Sequence, residues 1–286
     1  MTGTDTAATL SAAPPLTLLY VPGDHPDRVA KALASEADVV IVDLEDAVAA
    51  PAKSAARAWT AELLDRVPPT PVQVRINDPR TPEGRADIVA LAGRPGVIDV
   101  RLPKVEDPAT VAETAAELPG VRLHLLLETA IGIERAFELA TAHPAVAGIA
   151  LGEADLRADL GITDESGLIW ARSRAVIAAR AAGLPAPQQS VYTRFRDLAG
   201  LAESCREGRA LGFVGRTAIH PAQLPVIAEA YRPSAAEIAA AEEVMAAVAT
   251  AERDGGGGRA LPDGRVIDPA AVGAARRVLG LVGRME

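Results

Sequence analysis

Acidic and basic side chains follow several short apolar segments of this chain, and these residues are the best suited to chemistry. Charged groups at the ends of apolar strands are costly to bury unless they are paired or bind a metal. Such positions hold five acids and two cations: Asp43, Glu45, Asp46, Glu128, Asp155, Arg75 and Lys104. If the segments belong to one parallel sheet, these side chains meet at one rim. We therefore expect a site there for a cation and an anionic substrate.

Glu128 and Asp155 are the first candidates for metal ligands. They follow adjacent predicted strands, so their carboxylates can converge on one ion although they are distant in sequence. Two carboxylates with further positions for water or substrate favour Mg²⁺. The alternative is that both form surface ion pairs with Arg157 or Arg135.

Arg75 follows a predicted buried strand, and its guanidinium can hold a substrate carboxylate in a two-pronged geometry that Lys cannot form. The alternative is a structural ion pair with Asp43 or Glu45. Successive strand residues point to opposite sides, so Asp43, Glu45 and Asp46 cannot all bind a metal. We expect these three acids to orient metal-bound water, to pair with Arg75, or to serve the fold alone.

The histidines and the single cysteine do not form a recognisable site. The histidines (His25, His124, His143 and His220) are scattered, which argues against a histidine zinc site. His220 alone follows a predicted strand, where packing explains it as well as catalysis does. Cys205 excludes an internal disulfide framework and suits a reducing compartment.

The elements that must position these residues are short, continuous apolar runs, which are typical of strands buried on both faces of a parallel sheet. We predict eight strands, at 16–21, 39–43, 72–76, 97–102, 123–127, 146–151, 188–193 and 215–219. Most are followed by a helical pattern, and eight such units favour a (β/α)₈ TIM barrel. An open doubly wound sheet is the alternative, but no G-x-G-x-x-G follows the first strand.

The sequence pattern divides the chain into three parts. Residues 1–14 are small and polar and predict a disordered tail, and residues 15–232 form the predicted barrel. Residues 233–286 predict a C-terminal helical arm that acts as a lid. This arm comprises a helix from Ser234 to about Glu252, a flexible joint at Gly255–Gly258 and a helix over Ala270–Leu281.

Composition excludes several classes of protein. The 286 residues are 49% hydrophobic with a mean hydropathy of +0.15, enough for a sizeable core. A net charge of −9 and 3% aromatic residues argue against nucleic-acid binding. The N-terminus lacks the pattern of a secretory signal, and no apolar run could span a membrane. We therefore expect a cytoplasmic protein.

Seven short motifs occur in order along the chain. They are Leu19-Tyr-Val-Pro-Gly23, Val42-Asp-Leu-Glu-Asp-Ala-Val48, Val74-Arg-Ile-Asn77, Leu102-Pro-Lys104, Glu128-Thr-Ala-Ile-Gly132, Gly152-Glu-Ala-Asp155 and Ala218-Ile-His-Pro-Ala-Gln223. Together they resemble the citrate lyase beta-subunit-like branch of the HpcH/HpaI aldolase superfamily, over about residues 16–285. The resemblance implies a TIM barrel, a Mg²⁺ ion and carbon–carbon bond cleavage or formation on β-hydroxyacyl thioesters such as citryl-, malyl- or citramalyl-CoA.

The resemblance also implies roles for individual residues and an assembly into trimers or hexamers. It assigns the metal to Glu128 and Asp155, and substrate binding to Arg75. Contacts with CoA or substrate are implied for Tyr20, Arg28, Lys31, Ile219, His220 and Pro221. Asp268 resembles an acid–base aspartate on a lid that trimers donate to a neighbouring subunit.

Two departures from the family pattern leave the acyl group open. Gln188-Gln189 stands where the family often has an acid, and Arg194 also replaces a frequent acid. Two other functions also stay open. One is the beta subunit of a citrate lyase complex, acting on a citryl thioester of an acyl carrier protein. The other is a catalytically inactive barrel that serves as a thioester-binding or regulatory protein.

Overall fold

A computed structural model describes residues 14–253 and 266–282, and seven parallel strands form one curled sheet in this part of the chain. The strands are β1 Thr17–Pro22, β2 Val39–Asp43, β3 Val72–Arg75, β4 Asp99–Leu102, β5 Arg122–Leu127, β6 Val146–Leu151 and β7 Arg216–Ala218. Their order in the sheet is β6-β5-β4-β3-β2-β1-β7. The predicted α/β class with a parallel sheet is therefore confirmed.

The apolar strands are buried on both faces, as is typical of a parallel sheet. All five residues of β2 are buried, and Val40 and Ile41 are fully inaccessible to solvent. The register pairs Asp43 with Arg75 and Arg75 with Arg101 on neighbouring strands. The carboxyl ends of β2 and β3 therefore lie at the same level of the sheet, together with the middle of β4.

The predicted strand at 188–193 is wrong, because within the described residues that segment forms only an isolated bridge between Gln189 and Arg216. Pro185 and Pro187 precede the bridge and cannot donate backbone hydrogen bonds. Between this segment and β6, the side chain of Ser190 makes the hydrogen bonds that backbone groups would make in a regular strand pair. The Ser190 hydroxyl donates to the Leu151 carbonyl and accepts from the Glu153 N–H at 3.3 Å.

Helices follow most strands. They are α1 Pro26–Leu33, α2 Lys53–Leu63, α3 Pro82–Leu91, α4 Pro108–Glu117, α5 Ala130–Glu134, α6 Ala136–Ala140, α7 Glu153–Leu160, α8 Ile169–Ala181, α9 Leu198–Ala210 and α10 Leu224–Tyr231. Local chemistry sets several of their starts. The Thr81 hydroxyl accepts from the Gly84 N–H at 3.1 Å, and Asp107 accepts from the Ala109 N–H at 3.2 Å. Each cap precedes a proline at the first helical position, where proline is favoured.

The chain contains two compact units, one of which is Pro15–Tyr231. The other includes the residues from Arg232 onward and contains α11 Ala235–Arg253 and α12 Pro269–Val282. The two helices predicted in the C-terminal part are thus present. Val248, Ile267 and Val272 form their shared apolar cluster. Residues 1–13 of the predicted tail and the predicted Gly255–Gly258 joint lie outside the described residues.

None of the helices in the described ranges is both long and apolar enough to cross a membrane.

A buried carboxylate holds the loop that follows β3. Asp87 on α3 accepts from the backbone N–H and side-chain amide of Asn77 at 2.8 and 2.7 Å, and from the Arg57 guanidinium at 2.6 Å. The Asn77 amide oxygen accepts from the Lys53 ammonium at 2.5 Å, and its amide nitrogen donates to the Leu44 carbonyl at 2.9 Å. This network ties α2 and α3 to the ends of β2 and β3.

We predict that Asp87→Ala lowers the free energy of unfolding by roughly 3–5 kcal/mol, because it leaves the Arg57 charge without its buried partner. Urea denaturation followed by circular dichroism measures the change. Asp65→Ala is the matched control, since Asp65 forms an exposed ion pair with Arg94 that contributes less than about 1 kcal/mol. Equal losses in the two variants would contradict a special role for Asp87.

Candidate active site

Arg75, at the end of β3, is the centre of a buried ion cluster, and its side chain is 13% exposed. Its Nε and Nη2 donate to the two carboxylate oxygens of Asp43 at 2.7 and 2.6 Å. Asp43 also accepts from the backbone N–H groups of Glu45 and Ala47, so the turn after β2 folds around this carboxylate. The guanidinium carbon lies 5.0 Å from the centre of the Tyr20 ring, in a cation–π contact.

Two further acids face the remaining nitrogen of Arg75. Nη1 lies 3.0 Å from Glu45 Oε2 and 3.6 Å from an oxygen of Asp46. Glu45 is buried and also accepts from the Lys104 ammonium, whereas the Asp46 side chain is 56% exposed. Burial raises the pKa of Glu45, although the charges of Arg75 and Lys104 act in the opposite direction. Arg75 therefore forms the ion pairs that the sequence left as an alternative to substrate binding.

Burial alone would lower the pKa of Arg75, but the hydrogen bonds with Asp43 and the charges of Asp43, Glu45 and Tyr20 together outweigh it, and the pKa is raised. The group stays cationic. For Tyr20, burial raises the pKa of the phenol, against the opposing charges of Arg101 and Arg75. The phenol therefore stays protonated near neutral pH.

The loop after β4 positions Glu128 at the end of β5. Lys104 has a φ of 53°, an uncommon conformation for a residue other than glycine. This turn directs the Lys104 backbone N–H to Glu128 Oε1 at 2.7 Å, while the ammonium reaches Glu45. One lysine therefore connects the acids that follow β2 and β5.

Glycine at position 152 makes room for the Glu128 side chain. A Cβ at Gly152 would lie 2.1 Å from Glu128 Oε2 and 2.6 Å from Glu128 Cβ, both far closer than atoms can approach. Glu128 is 2% exposed, and burial, reinforced by the negative charges of Glu45 and Asp155, raises its pKa to about 8. At neutral pH this carboxyl is therefore largely protonated unless a further positive charge binds beside it.

Asp155 lies in the first turn of α7 and not at the end of β6 itself. It is half-buried and forms no hydrogen bond or ion pair with any described residue. The ion pairs considered for Asp155 are not formed there: Arg157 pairs with Glu165, and Arg135 with Glu138. Asp155 is therefore the acid of this rim without a partner among the residues described.

Glu128 and Asp155 are the residues that could hold a metal ion. Both line one cavity, and the charge of Asp155 acts on Glu128. No cluster of three or more ligand-type side chains suited to a metal occurs in the described ranges. A hard cation that takes two carboxylates and keeps several waters or substrate oxygens fits such a pair, as Mg²⁺ does.

A cavity of about 270 Å³ joins these groups. Of the predicted site residues, its lining includes Tyr20, Asp43, Asp46, Arg75, Glu128, Asp155 and Ile219. It also includes Arg101, Gln189 and Ser190, which we did not predict. An arginine inside the apolar run of β4 was a usable signal for Arg101, whereas no sequence signal marked Ser190.

Other predicted residues lie outside the lining of this cavity. Arg28 and Lys31 are exposed on α1. His220 and Pro221 are exposed after β7, where the His220 side chain accepts from the Ala222 N–H at 3.1 Å and stacks on Phe195. The structure thus gives His220 a capping role, and CoA contacts by these four residues stay predictions.

Asp268 belongs to the second compact unit and is exposed. Its carboxylate accepts from the Ala271 N–H at 2.7 Å and caps α12. Helix capping is the role that the contacts show, and the acid–base role stays a prediction.

Comparison with known proteins connects this geometry to a family. The sequence model of the protein family described as HpcH/HpaI aldolase/citrate lyase matches residues 16–221, which contain the whole ion cluster and all residues that line the cavity. The chain belongs to this HpcH/HpaI aldolase/citrate lyase family. The resemblance found in the sequence motifs is therefore confirmed.

Individual members of the HpcH/HpaI family are similar over nearly the full length. A (3S)-malyl-CoA thioesterase of Cereibacter sphaeroides is 38% identical over 273 residues, which cover 92% of each chain. A citrate lyase subunit beta of Leuconostoc mesenteroides is 34% identical over 281 residues, covering 93% of this chain and 92% of that one.

A solved structure extends the comparison to a member of the HpcH/HpaI family with bound ligands. The CitE protein of Mycobacterium tuberculosis, in complex with magnesium, acetoacetate and coenzyme A, superposes with a TM-score of 0.80 at 37% identity. The match covers 95% of this chain and 99% of that one.

We predict that Glu128→Gln removes a pH dependence from the stability of the metal-free protein. A carboxyl whose pKa is about 8 in the folded state and near 4.5 when unfolded stabilises the fold fully below pH 4.5. This stabilisation is lost as the pH rises through 8. The free energy of unfolding of the wild type minus that of the variant should therefore fall by a few kcal/mol as the pH rises from 4 to 9. Each unit by which the folded pKa exceeds the unfolded one contributes on the order of 1.4 kcal/mol.

Urea titrations in chelator at several pH values between 4 and 9 measure this difference. Glu113→Gln, at an exposed position of α4, is the matched control and should leave the pH dependence unchanged. A constant difference between the wild type and Glu128→Gln across the range would contradict the raised pKa.

Proposed function

We propose that this chain is a Mg²⁺-dependent carbon–carbon lyase that cleaves a β-hydroxyacyl thioester in a reversible Claisen-type reaction. One observation carries the proposal. Glu128 and Asp155, which has no partner among the described residues, line the same cavity as the oriented Arg75 guanidinium, in a chain of the HpcH/HpaI family. The similar CitE protein binds magnesium, acetoacetate and coenzyme A in its crystal structure, which supports the same ligand classes here.

Glu128 and Asp155 would hold the Mg²⁺ ion. The fit rests on their oxygen donors, on the burial and neighbouring negative charges that raise the pKa of Glu128 to about 8, and on the space that Gly152 leaves beside Oε2. When bound, Mg²⁺ supplies Lewis-acid polarisation of an oxygen of the oxo-acid half.

Arg75 would hold the carboxylate of the oxo-acid half, or the oxygen that becomes its carbonyl. Asp43 occupies Nε and Nη2 and fixes the plane of the guanidinium. Glu45 Oε2 lies 3.0 Å from Nη1 but accepts no hydrogen bond within the described part of the chain. Nη1 thus donates no hydrogen bond within the described residues and is available to a substrate oxygen.

The thioester end of the substrate would occupy the part of the cavity that Tyr20 and Ile219 line. We assign Arg28, Lys31, His220 and Pro221 to CoA contacts beyond it. Their support is the family resemblance and their exposed positions on α1 and after β7. Asp268 would exchange a proton with the carbon of the leaving enolate, and general acid–base catalysis of this kind contributes roughly 10²–10⁴-fold.

We extend the proposal to architecture and assembly. The Ser190 contacts with Leu151 and Glu153 support a closed (β/α)₈ barrel, in which the segment around Gln189 occupies the position of the missing strand. We assign residues 15–232 to this barrel and residues 233–286 to an arm that serves as a lid. The family resemblance supports an assembly into homotrimers or hexamers.

Two relatives favour other reactions at the same site. The similar (3S)-malyl-CoA thioesterase favours hydrolysis of the thioester as a second candidate function. The similar citrate lyase subunit beta favours an acyl carrier protein as the carrier in place of CoA.

We predict that the purified wild type with Mg²⁺ cleaves at least one of malyl-, citramalyl- and citryl-CoA to an oxo acid and acetyl-CoA. Mass spectrometry distinguishes this outcome from hydrolysis, which releases free CoA and the hydroxy acid. Asp155→Asn should lose cleavage by at least about 100-fold and should weaken Mg²⁺ binding in calorimetry, because one anionic ligand is neutralised.

Asp65→Asn, on the exposed ion pair, is the control and should match the wild type in both measurements. Unchanged Mg²⁺-dependent cleavage in Asp155→Asn would remove Asp155 from the metal site. Release of hydroxy acid without any oxo acid would show thioester hydrolysis and would contradict the lyase function.

We predict that Asp268→Asn slows turnover strongly and leaves Mg²⁺ and thioester binding intact. Asparagine caps helices as well as aspartate does, so the substitution keeps the hydrogen bond to the Ala271 N–H while it removes the proton-transferring carboxyl. Steady-state kinetics and binding calorimetry separate the two effects. Wild-type turnover, or a parallel loss of binding, would limit Asp268 to a structural role.

A further inference from the structure

Arg101 is a buried cation in the middle of β4, and its contacts differ from those of the other arginines in the core. Its side chain is 2% exposed. Its Nε and Nη2 donate to the same oxygen, Gln73 Oε1, at 3.1 and 2.9 Å. Its Nη1 has no hydrogen-bond partner among residues 14–253 and 266–282. The only acid on its own strand, Asp99, is paired instead with Arg122 and His124 at 2.6 and 2.7 Å.

Other buried arginines have carboxylate partners or more hydrogen-bond acceptors than Arg101 has. Arg75 faces the carboxylates described above, and Arg172 pairs with Glu153 and Glu165. Arg216 donates to the Ser190 carbonyl, the Gln189 amide oxygen and the Ser204 hydroxyl. A buried charge with one neutral partner is unfavourable unless something else compensates it. Within the described part of the chain, no carboxylate does this for Arg101.

The cavity offers the compensation. Arg101 lines it together with Arg75, Glu128 and Asp155. Its Cα is in register with that of Arg75, so the two arginines start from the same level on adjacent strands. The guanidinium has donors left for an anion, and a guanidinium binds a carboxylate through two parallel hydrogen bonds. We propose that Arg101 is a specificity-determining residue that binds a second carboxylate of the acyl substrate.

This inference rests on the proposed lyase function and names its substrate class. In a β-hydroxyacyl thioester of this kind, the β-carbon carries the hydroxyl, one carboxylate and a third substituent. The third substituent is hydrogen in malyl, methyl in citramalyl and carboxymethyl in citryl thioesters. With Arg75 assigned to the first carboxylate, Arg101 selects substrates whose third substituent ends in a carboxylate. Cleavage then yields an oxo-dicarboxylic acid.

Binding of two oxo acids of matched size tests the inference without turnover. Oxaloacetate carries a carboxylate where 2-oxobutanoate carries a methyl group, and both are titrated by calorimetry into the full-length protein with Mg²⁺. The wild type should bind oxaloacetate more tightly. Arg101→Met should weaken oxaloacetate binding by roughly 10- to 100-fold and leave 2-oxobutanoate binding unchanged. Arg101→Lys should restore part of the loss, since it returns the charge without the planar fork.

Arg122→Met is the matched control, because Arg122 is an exposed arginine on the next strand and should not affect either affinity. Circular dichroism and urea denaturation establish that the Arg101 variants are folded. Equal binding of the two oxo acids by the wild type, or an equal loss of both in Arg101→Met, overturns the inference. Cleavage of the CoA thioester panel is measured in parallel. Cleavage without a carboxylate preference overturns only the role of Arg101, and an Arg101-dependent preference without cleavage overturns only the lyase function.

Discussion

The two-pronged pair between Arg75 and Asp43 joins the carboxyl ends of two neighbouring strands, and the surrounding charges are arranged around it. A buried guanidinium requires compensation, and Asp43, Glu45 and Asp46 supply it from a single turn. Lys104 neutralises Glu45 in turn and donates its backbone N–H to Glu128. Apart from Asp155, the charged groups of this rim are therefore held by their neighbours before any ligand binds.

The charges in this cavity are compensated around Arg75 and are not fully compensated at Glu128, Asp155 and Arg101. The Arg75 charge is compensated by its own carboxylates, whereas burial and the charges of Glu45 and Asp155 disfavour the carboxylate form of Glu128, and Arg101 has one neutral hydrogen-bond partner among the described residues. A cation beside Glu128 and Asp155, and an anion beside Arg101, would compensate these charges. A metal-bound substrate with two carboxylates supplies both, so the same electrostatic imbalance supports the proposed function and its substrate class.

Several features were predictable because they depend on local sequence. Apolar runs such as Val39–Asp43 predicted buried parallel strands, and polar residues after them predicted the rim. The strand at 188–193 was predicted wrongly from a weaker run of the same kind, because Pro185 and Pro187 remove backbone donors just before it. The Arg75 pairings stayed open in the sequence, since Asp43 and Glu45 were equally plausible partners or metal-orienting groups.

The sequence by itself determined the family, the α/β class and the types of residue at the rim, because these follow from hydrophobic patterning and short ordered motifs. Only the tertiary structure decided which charges are compensated. It placed Asp155 on a helix, where no described residue pairs with it, brought Gly152 beside Glu128 and made Arg101 part of the cavity lining. Such outcomes depend on distances between residues from different strands, and the side-chain types alone do not contain those distances.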